Sequence, residues 1–590
     1  MFKDIVTELD PLFNPRSVAH IGATNNRNKW GFSTITSLMQ TFQGPIYPVN
    51  VHEQQIQGLN AYKKVTDIKE PVDLAVFTIP AEKVAEAMQD CVDKGVKSAV
   101  VISAGFAETG PEGKKLQDEV LRIAQKGNIR FIGPNCMGYW SASSSLAAFM
   151  MPLLVRDGPL AFVSQGGNVG AAVVVAGYER GIGFHHYVSC GCAADIQIED
   201  YIDYFGRDPA VKVIITYIEG LNDGIKFAEV VEKVTPRKPV IVLKPGKTEA
   251  AAKAIKSHSG AMAGSDAVYD AAFKKMGAIR VENPEEMLDV AIAFLTQPLP
   301  KGRNVAIITP GGSYGVLCAE ACEQGGLNVV KLPDKTIEEM DKIFPPRWSR
   351  GNPVDPAGDR NFIAYLTAAV RLLEVKIVDS LIFMGFGGFS LFGNLLLRQR
   401  SQQGQLVTKA EQPRHSSSMQ AIIPIIEDVK SANIYKSETA IKQLISMLGL
   451  ILGIQDKMEI EDLANMTIAA RHSGKIADDL IDDLLELAGG REPEGRTRID
   501  IINDMLTRLL TALVSQWIES YRKPVITTTF TEEQVRLVDN HYDYTSGNRA
   551  ARVLLKLTEY SDYLTRIGVP VEQFNLVPQA GSHAFSPVDM

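Results

Sequence analysis

The chain has 590 residues, 45% hydrophobic and 22% charged, with 69 acidic against 61 basic side chains and a formal net charge of -8. Such a length makes about three to five packed domains, and an acidic balance with lysines scattered among carboxylates excludes a nucleic-acid surface. Six cysteines without paired CxxC spacing exclude a disulfide framework and offer no zinc site, so a reducing, cytoplasmic setting without metal is expected.

The N-terminal MFKDIVTELDPLFNP carries acids and lacks the apolar run of a secretory signal. The longest apolar run, about 445–454, is far short of the roughly 20 residues of a membrane span. Short β-branched runs then begin: SVAHIGA (17–23), GPIYPVN (44–50), DLAVFTIP (73–80), KSAVVISAG (97–105) and IRFIGPN (129–135). Each is followed by a helix-period segment or a loop rich in Gly, Pro and Asn, which predicts parallel strands with crossover helices in a Rossmann-like α/β domain over 1–150. His20, within SVAHIGA, is expected to be buried and hydrogen-bonded.

The rhythm restarts at PLAFVSQGGNVG (159–170) and continues through HHYVSCG, VKVIITYIEG and PVIVLKPG, predicting a second doubly wound, flavodoxin-like domain over 151–298. His185 and His186 open one of its strands and read as structural residues; Cys190, Cys192, Cys318 and Cys322 read as small hydrophobes. TQPLPKGR, a linker, precedes the third unit, 299–590, which opens with NVAIITPGGSYG (304–315) and holds two more strand-like runs, DSLIFMGFGG and KPVITTTF. More than a hundred residues separate those runs. We therefore read about 390–506 as an insertion, with amphipathic helices in IADDLIDDLLELA and IDIINDMLTRLLTALV that cover the third sheet or meet a partner.

Two turns join a strand directly to a helix: SQGGNVG from Ser164 and TPGGSYG from Thr309. The unpaired first amides of a helix carry partial positive charge, so each turn is a candidate anion site, and a phosphate held between both would explain the pair. Between them in sequence lies KSHSGAMAG (256–264), where His258 stands among small residues that leave its ring room to carry a substituent. A neutral imidazole is nucleophilic near physiological pH, and a carboxylate on one nitrogen fixes the tautomer for phosphorylation of the other. Glu219, at the end of VKVIITYIEG, either supplies that carboxylate or is a solvated surface residue. A second HSG, at His472, sits in a charged helical stretch and reads as surface.

Taken in order, RSVAHIGA, GPIYPVN, VDLAVFTIPAE, VVISAGFAETG, GPNCMG, VSQGGNVG, YIEG, SHSGAMAGSDAVYDAAF and NPVDPAGD resemble the NDP-forming acyl-CoA synthetases, the superfamily of succinyl-CoA synthetase and ADP-forming acetyl-CoA synthetase. The likeness runs over about 11–360 and continues more thinly at KPVITTTF and GNRAARVLLKLTEY. It implies a coenzyme A site in the first domain lined by Gly22, Ala23, Thr24, Pro80, Ala81, Ser103, Ala104, Pro134 and Asn135. The lack of a GxGxxG fingerprint argues against a nicotinamide dinucleotide there.

The same resemblance makes His258 the phosphohistidine and Glu219 its orienting carboxylate. Phosphate would be bound by Ser164, Gly166, Gly167 and Asn168 in one turn and by Gly311, Gly312 and Ser313 in the other. The family's first turn commonly reads SQSG or SRSG, so Gly166 stands where a serine is usual, and Pro310 removes one amide from the second turn. No stretch supplies the ATP-grasp domain that binds ADP or ATP with Mg, so a separate chain is expected to carry it in a larger oligomer. The implied activity is an acyl-CoA ligase, an acid-thiol ligase working through acyl phosphate and phosphohistidine. The alternative is a non-catalytic CoA-binding regulatory or scaffold protein that keeps the ligase fold.

Overall fold

The computed structural model describes residues 4–251, 253–254, 266–358, 362–385, 461, 465, 498–529 and 541–574. His258, His472 and nearly all of 390–506 lie outside the described residues. The chain divides into two compact units, Met1–Phe294 with Asp562–Pro570, and Leu295–Ser561 with Val571–Met590. Among the described residues no helix is long and apolar enough to cross a membrane.

The first unit holds two sheets. Chain order gives β1 (Val18–Ile21), β2 (Ile46–Val49), a small hairpin of β3 (Gln55–Ile56) and β4 (Leu59–Asn60), then β5 (Leu74–Phe77), β6 (Ser98–Val101) and β7 (Arg130–Ile132). The first sheet is ordered β2-β1-β5-β6-β7 and is parallel throughout. Strands such as Leu74–Phe77 are buried at every position, as a parallel strand covered by helices on both faces must be. The helix Ala81–Lys94 starts behind Pro80, turns Val84, Met88 and Cys91 inward, and stops at Gly95 with φ +80, a conformation that glycine adopts without cost.

Next come β8 (Gly138–Ser141), β9 (Leu146–Phe149), β10 (Leu160–Ser164), β11 (Phe184–Ser189), β12 (Val213–Tyr217), β13 (Val240–Leu243) and β14 (Ile279–Val281). They form a seven-stranded sheet ordered β14-β13-β12-β10-β11-β8-β9, parallel except for the β8–β9 hairpin, which pairs antiparallel to β11. A boundary at 150 assigns that hairpin to the first domain, but its hydrogen bonds lie in the second sheet. The hairpin is buried at nearly every position, which does not show from sequence which sheet it joins; here Trp140 Nε1 donates to the carbonyl of Phe184 at 2.7 Å.

One continuous core contains Val18, Leu74 and Val100 of the first sheet and Ala161, Val163 and Ile214 of the second. The helix Ile5–Phe13 seals it: Phe13 stacks on Tyr204 with centroids 4.6 Å apart, and its carbonyl accepts from Ser141 Oγ at 2.8 Å. The two sheets of this unit are therefore fixed against each other by shared packing.

In the second unit β15 (Asn304–Ile308), β16 (Asn328–Val329), β17 (Ser380–Phe383), β18 (Val525–Thr528) and β19 (Asp543–Tyr544) form a parallel sheet ordered β16-β15-β17-β18-β19. β17 and β18 are neighbours despite the long sequence between them, which places the insertion in one crossover. The amphipathic run 499–514 lies on the helix Arg498–Tyr521 that leads into β18. Renumbered within each sheet, the parallel strands of all three follow the order 2-1-3-4-5, so each has a switch point beside its first strand where ligands bind in such folds.

Candidate functional site

The switch point of the second sheet lies between β10 and β12. After β10 the chain turns sharply, and Ser164, fully buried, donates its hydroxyl to the carbonyl of Gly166 at 2.8 Å. That hydroxyl is consumed inside the turn, and Ser164 does not line the cleft. Gly166 is the N-cap of the helix Gly167–Glu179 and no side chain caps it, so the first amides are left for a ligand. Gly166, Gly167 and Asn168 all line a cleft of about 1410 Å³.

A Cβ on Gly166 would lie 2.8 Å from Tyr217 Cε1. Tyr217 thus occupies the space that a side chain at 166 would take. Its phenol is hydrogen-bonded to Glu219, and burial together with that carboxylate pushes it up to about 12. Glu219 is 7% exposed and stands in the cleft wall.

Gln165 organises this corner. Its Oε1 accepts from the amides of Glu219 at 2.5 Å and Gly220 at 3.0 Å, while its Nε2 donates to the Gly220 carbonyl at 2.9 Å. Sequence reasoning singled out neither Gln165 nor Tyr217. The signal for both was position, at the ends of the two strands that flank the switch point.

Strand ends of the first sheet complete the same cleft: Ser103, Ala104 and Asn135 line it, as does Ala254, which precedes the segment holding His258. Pro134 is excluded from the lining, and its carbonyl accepts the amide of Cys192 at 2.9 Å. Cys192 does line the cleft; burial first, then Glu108 3.5 Å away, pushes its thiol up to about 12, so it stays protonated. A second cleft of about 1320 Å³ is lined by Gly22, Thr24 and Pro80, with Lys64 and Lys83. Ala23 and Ala81 are buried and line neither cleft. Trp30, Thr78 and Ile79 line both, so the two spaces adjoin along the first sheet.

The turn after β1 is closely packed. Gly22 has φ +96, and a Cβ there would meet Thr78 O at 2.8 Å; a Cβ on Gly31 would lie 2.1 Å from the Gly22 carbonyl oxygen, so the helix Trp30–Thr41 starts directly against the turn. Ser103 Oγ is buried with no hydrogen-bond partner, a donor left available beside the cleft. His20 is fully buried, with Nε2 3.0 Å from Thr78 Oγ1, and burial lowers it to about 3. It is a neutral positioning group for Thr78.

In the second unit Thr309 repeats the arrangement of Ser164: its Oγ1 donates to the Gly311 carbonyl at 2.9 Å, and Gly311 caps the helix Gly312–Gln324. Gly312 and Ser313 are exposed. Asp355 stands close by, its Oδ2 3.0 Å from where a Cβ on Gly312 would lie.

A doubly wound α/β protein with a tight glycine turn on its first sheet and uncapped helix amides beside a buried carboxylate on its second offers places suited to an anion. Comparison with known proteins gives the family. Residues 16–141 match the CoA binding domain, 157–294 the succinyl-CoA ligase like flavodoxin domain, and 305–388 the Ligase-CoA domain. The α subunit of acetate–CoA ligase (ADP-forming) II from Pyrococcus furiosus is 43% identical over 374 residues, covering 63% of this chain and 81% of that one. The α subunit of ligase I from the same organism is 41% identical, covering 59% and 77%.

Among solved structures, the dinucleotide forming acetyl-coenzyme A synthetase 1 of Ca. Korarchaeum cryptofilum, in complex with phosphate and ADP, is 26% identical with a TM-score of 0.65, covering 95% of this chain and 99% of that one. The chain belongs to the NDP-forming acyl-CoA synthetase superfamily. It is an acid-thiol ligase by that membership.

Proposed function

We propose that this chain is the α-type subunit of an NDP-forming acyl-CoA ligase that interconverts acyl-CoA, phosphate and NDP with a carboxylic acid, CoA and NTP. The observation that carries the proposal is that the two clefts lie side by side, sharing Trp30, Thr78 and Ile79 in their walls. An extended coenzyme A would place its nucleotide end beside Gly22 and Lys64 and its thioester in the cleft with Gly166–Asn168 and Glu219. Two similar proteins carry the name "subunit alpha", which supports a separate chain bearing the ATP-grasp domain with nucleotide and Mg.

A phosphate oxygen, held by the amides of Gly167 and Asn168, attacks the thioester carbonyl; the C–S bond breaks, the thiolate takes a proton, and acyl phosphate remains. A ring nitrogen of His258 then attacks phosphorus, the P–O bond to the acyl group breaks, and the acid leaves as its carboxylate. Glu219 accepts a hydrogen bond from the other ring nitrogen and stabilises the charged ring. On the partner chain the P–N bond breaks as the phosphoryl group passes to a nucleoside diphosphate. Preorganised amides supply electrostatic stabilisation where phosphoryl charge shifts, which needs few side chains.

Incubation with a panel of acyl-CoAs and radiolabelled phosphate tests this. Acid-labile, base-stable label is expected on the wild type and on His472→Ala, and none on His258→Ala. Coenzyme A binding without label from any acyl-CoA would instead support the regulatory or scaffold reading.

A further inference from the structure

Adjacent residues in a regular strand point to opposite faces, so neighbouring histidines should not converge on one partner. His185 and His186 do. β11 carries a bulge: Leu160 pairs with Phe184 and Ala161 with His186, leaving His185 as the extra residue, and such bulges re-aim a side chain. The two rings sit 4.6 Å apart at 70°. Nε2 of His186 lies 2.9 Å, and Nε2 of His185 3.6 Å, from the same oxygen, Asp208 Oδ2.

Donors about 2.0–2.2 Å from a tetrahedral ion are about 3.3–3.6 Å from one another, toward the longer of those two separations. One donor atom from each of the three residues falls within 4.8 Å of the others. The supports are equally specific. His185 Nδ1 lies 2.9 Å from Asp157 Oδ1, an oxygen also held by the Gly158 amide at 2.7 Å. A proton on that nitrogen leaves Nε2 with its lone pair toward Asp208, the carboxylate–histidine arrangement found behind metal ligands. Asp208 is fixed through Oδ1 by the Ala210 amide at 2.9 Å. His186 is gripped by the rings of Phe13 at 4.7 Å and Phe205 at 5.2 Å, and Ser143 Oγ stands 3.2 Å from His185 Nε2.

We propose that His185, His186 and Asp208 form a site for a divalent transition ion of the zinc class, oriented through Asp157 and separate from the ligase cleft. Imidazole and carboxylate donors suit such ions. The site lies at the start of β11, whereas the cleft is lined by Gly191 beyond its end, so the ion braces the sheet and takes no part in acyl transfer. It would tie three separate segments: the loop before β10, the start of β11, and the residue after the helix Ile198–Arg207. His186 Nδ1 is buried with no partner, and Lys238 donates to the Phe205 carbonyl at 3.0 Å close by. With one histidine unsupported and a cation nearby, binding weaker than at a fully supported site is expected.

The test uses the full chain, stripped with a chelator and titrated with cobalt(II), read by visible absorption and by melting temperature. A single equivalent should saturate with the intense bands of a four-coordinate ion and raise the melting temperature. His185→Gln and Asp208→Asn should each weaken binding about tenfold or more, while His258→Ala leaves it intact. Since Asp208 also holds the Ala210 amide, His185→Gln, checked for native circular dichroism, is the deciding variant. Absence of a saturable band, or affinity unchanged in folded His185→Gln, would overturn the site.

Discussion

Gly166 is intelligible only together with Tyr217. A tyrosine ring stands 2.8 Å from where a Cβ at 166 would lie, and that ring carries the hydroxyl bonded to Glu219. Gly166→Ala should therefore cost about 1–3 kcal/mol in urea unfolding and lower turnover. In a Tyr217→Ala background the same substitution should cost much less, a coupling that a double-mutant cycle measures. Gln165→Ala is expected to cost about 1–3 kcal/mol, because it leaves the amides of Glu219 and Gly220 without their acceptor. Residue types were readable from the motifs, but their contacts were not. Ser164 reads in sequence as a phosphate-binding residue, and only the turn geometry shows that its hydroxyl donates to the Gly166 carbonyl.

At the scale of elements, three runs of strand, glycine turn and helix predicted three doubly wound sheets, since buried parallel strands and crossover helices leave distinct periodicities. Less legible were features decided by pairing between distant strands. The β8–β9 hairpin joined the second sheet, and the bulge at His185 turned two strand neighbours toward one carboxylate. β1 makes a further prediction. Burial lowers His20 to about 3, so between pH near 6.5 and 3 the unfolded chain takes up a proton that the folded chain refuses. Stability should fall as pH drops through that window, by up to about 1.4 kcal/mol per pH unit from this group. Urea unfolding at several pH values should show a shallower fall in His20→Gln.

For the whole molecule, the ordered motifs were enough to identify the family, because sequence order survives where individual contacts do not show. What they could not show is that two clefts on the first unit adjoin along one sheet edge through Trp30, Thr78 and Ile79. That adjacency underlies the proposed reaction, in which a long thioester is bound at one end and cleaved at the other. A partner bearing the nucleotide site should co-purify with the full chain and be required for NTP formation. It should be dispensable for phosphate-dependent release of CoA from an acyl-CoA, followed by thiol titration.

The most direct test is a crystal structure of the full chain with coenzyme A and phosphate. The nucleotide end should lie beside Gly22 and Lys64, the thiol should reach the cleft of Gly166 and Glu219, and phosphate should sit on the amides of Gly167 and Asn168. Coenzyme A bound with its thiol outside that cleft, or phosphate bound away from those amides, would contradict the account.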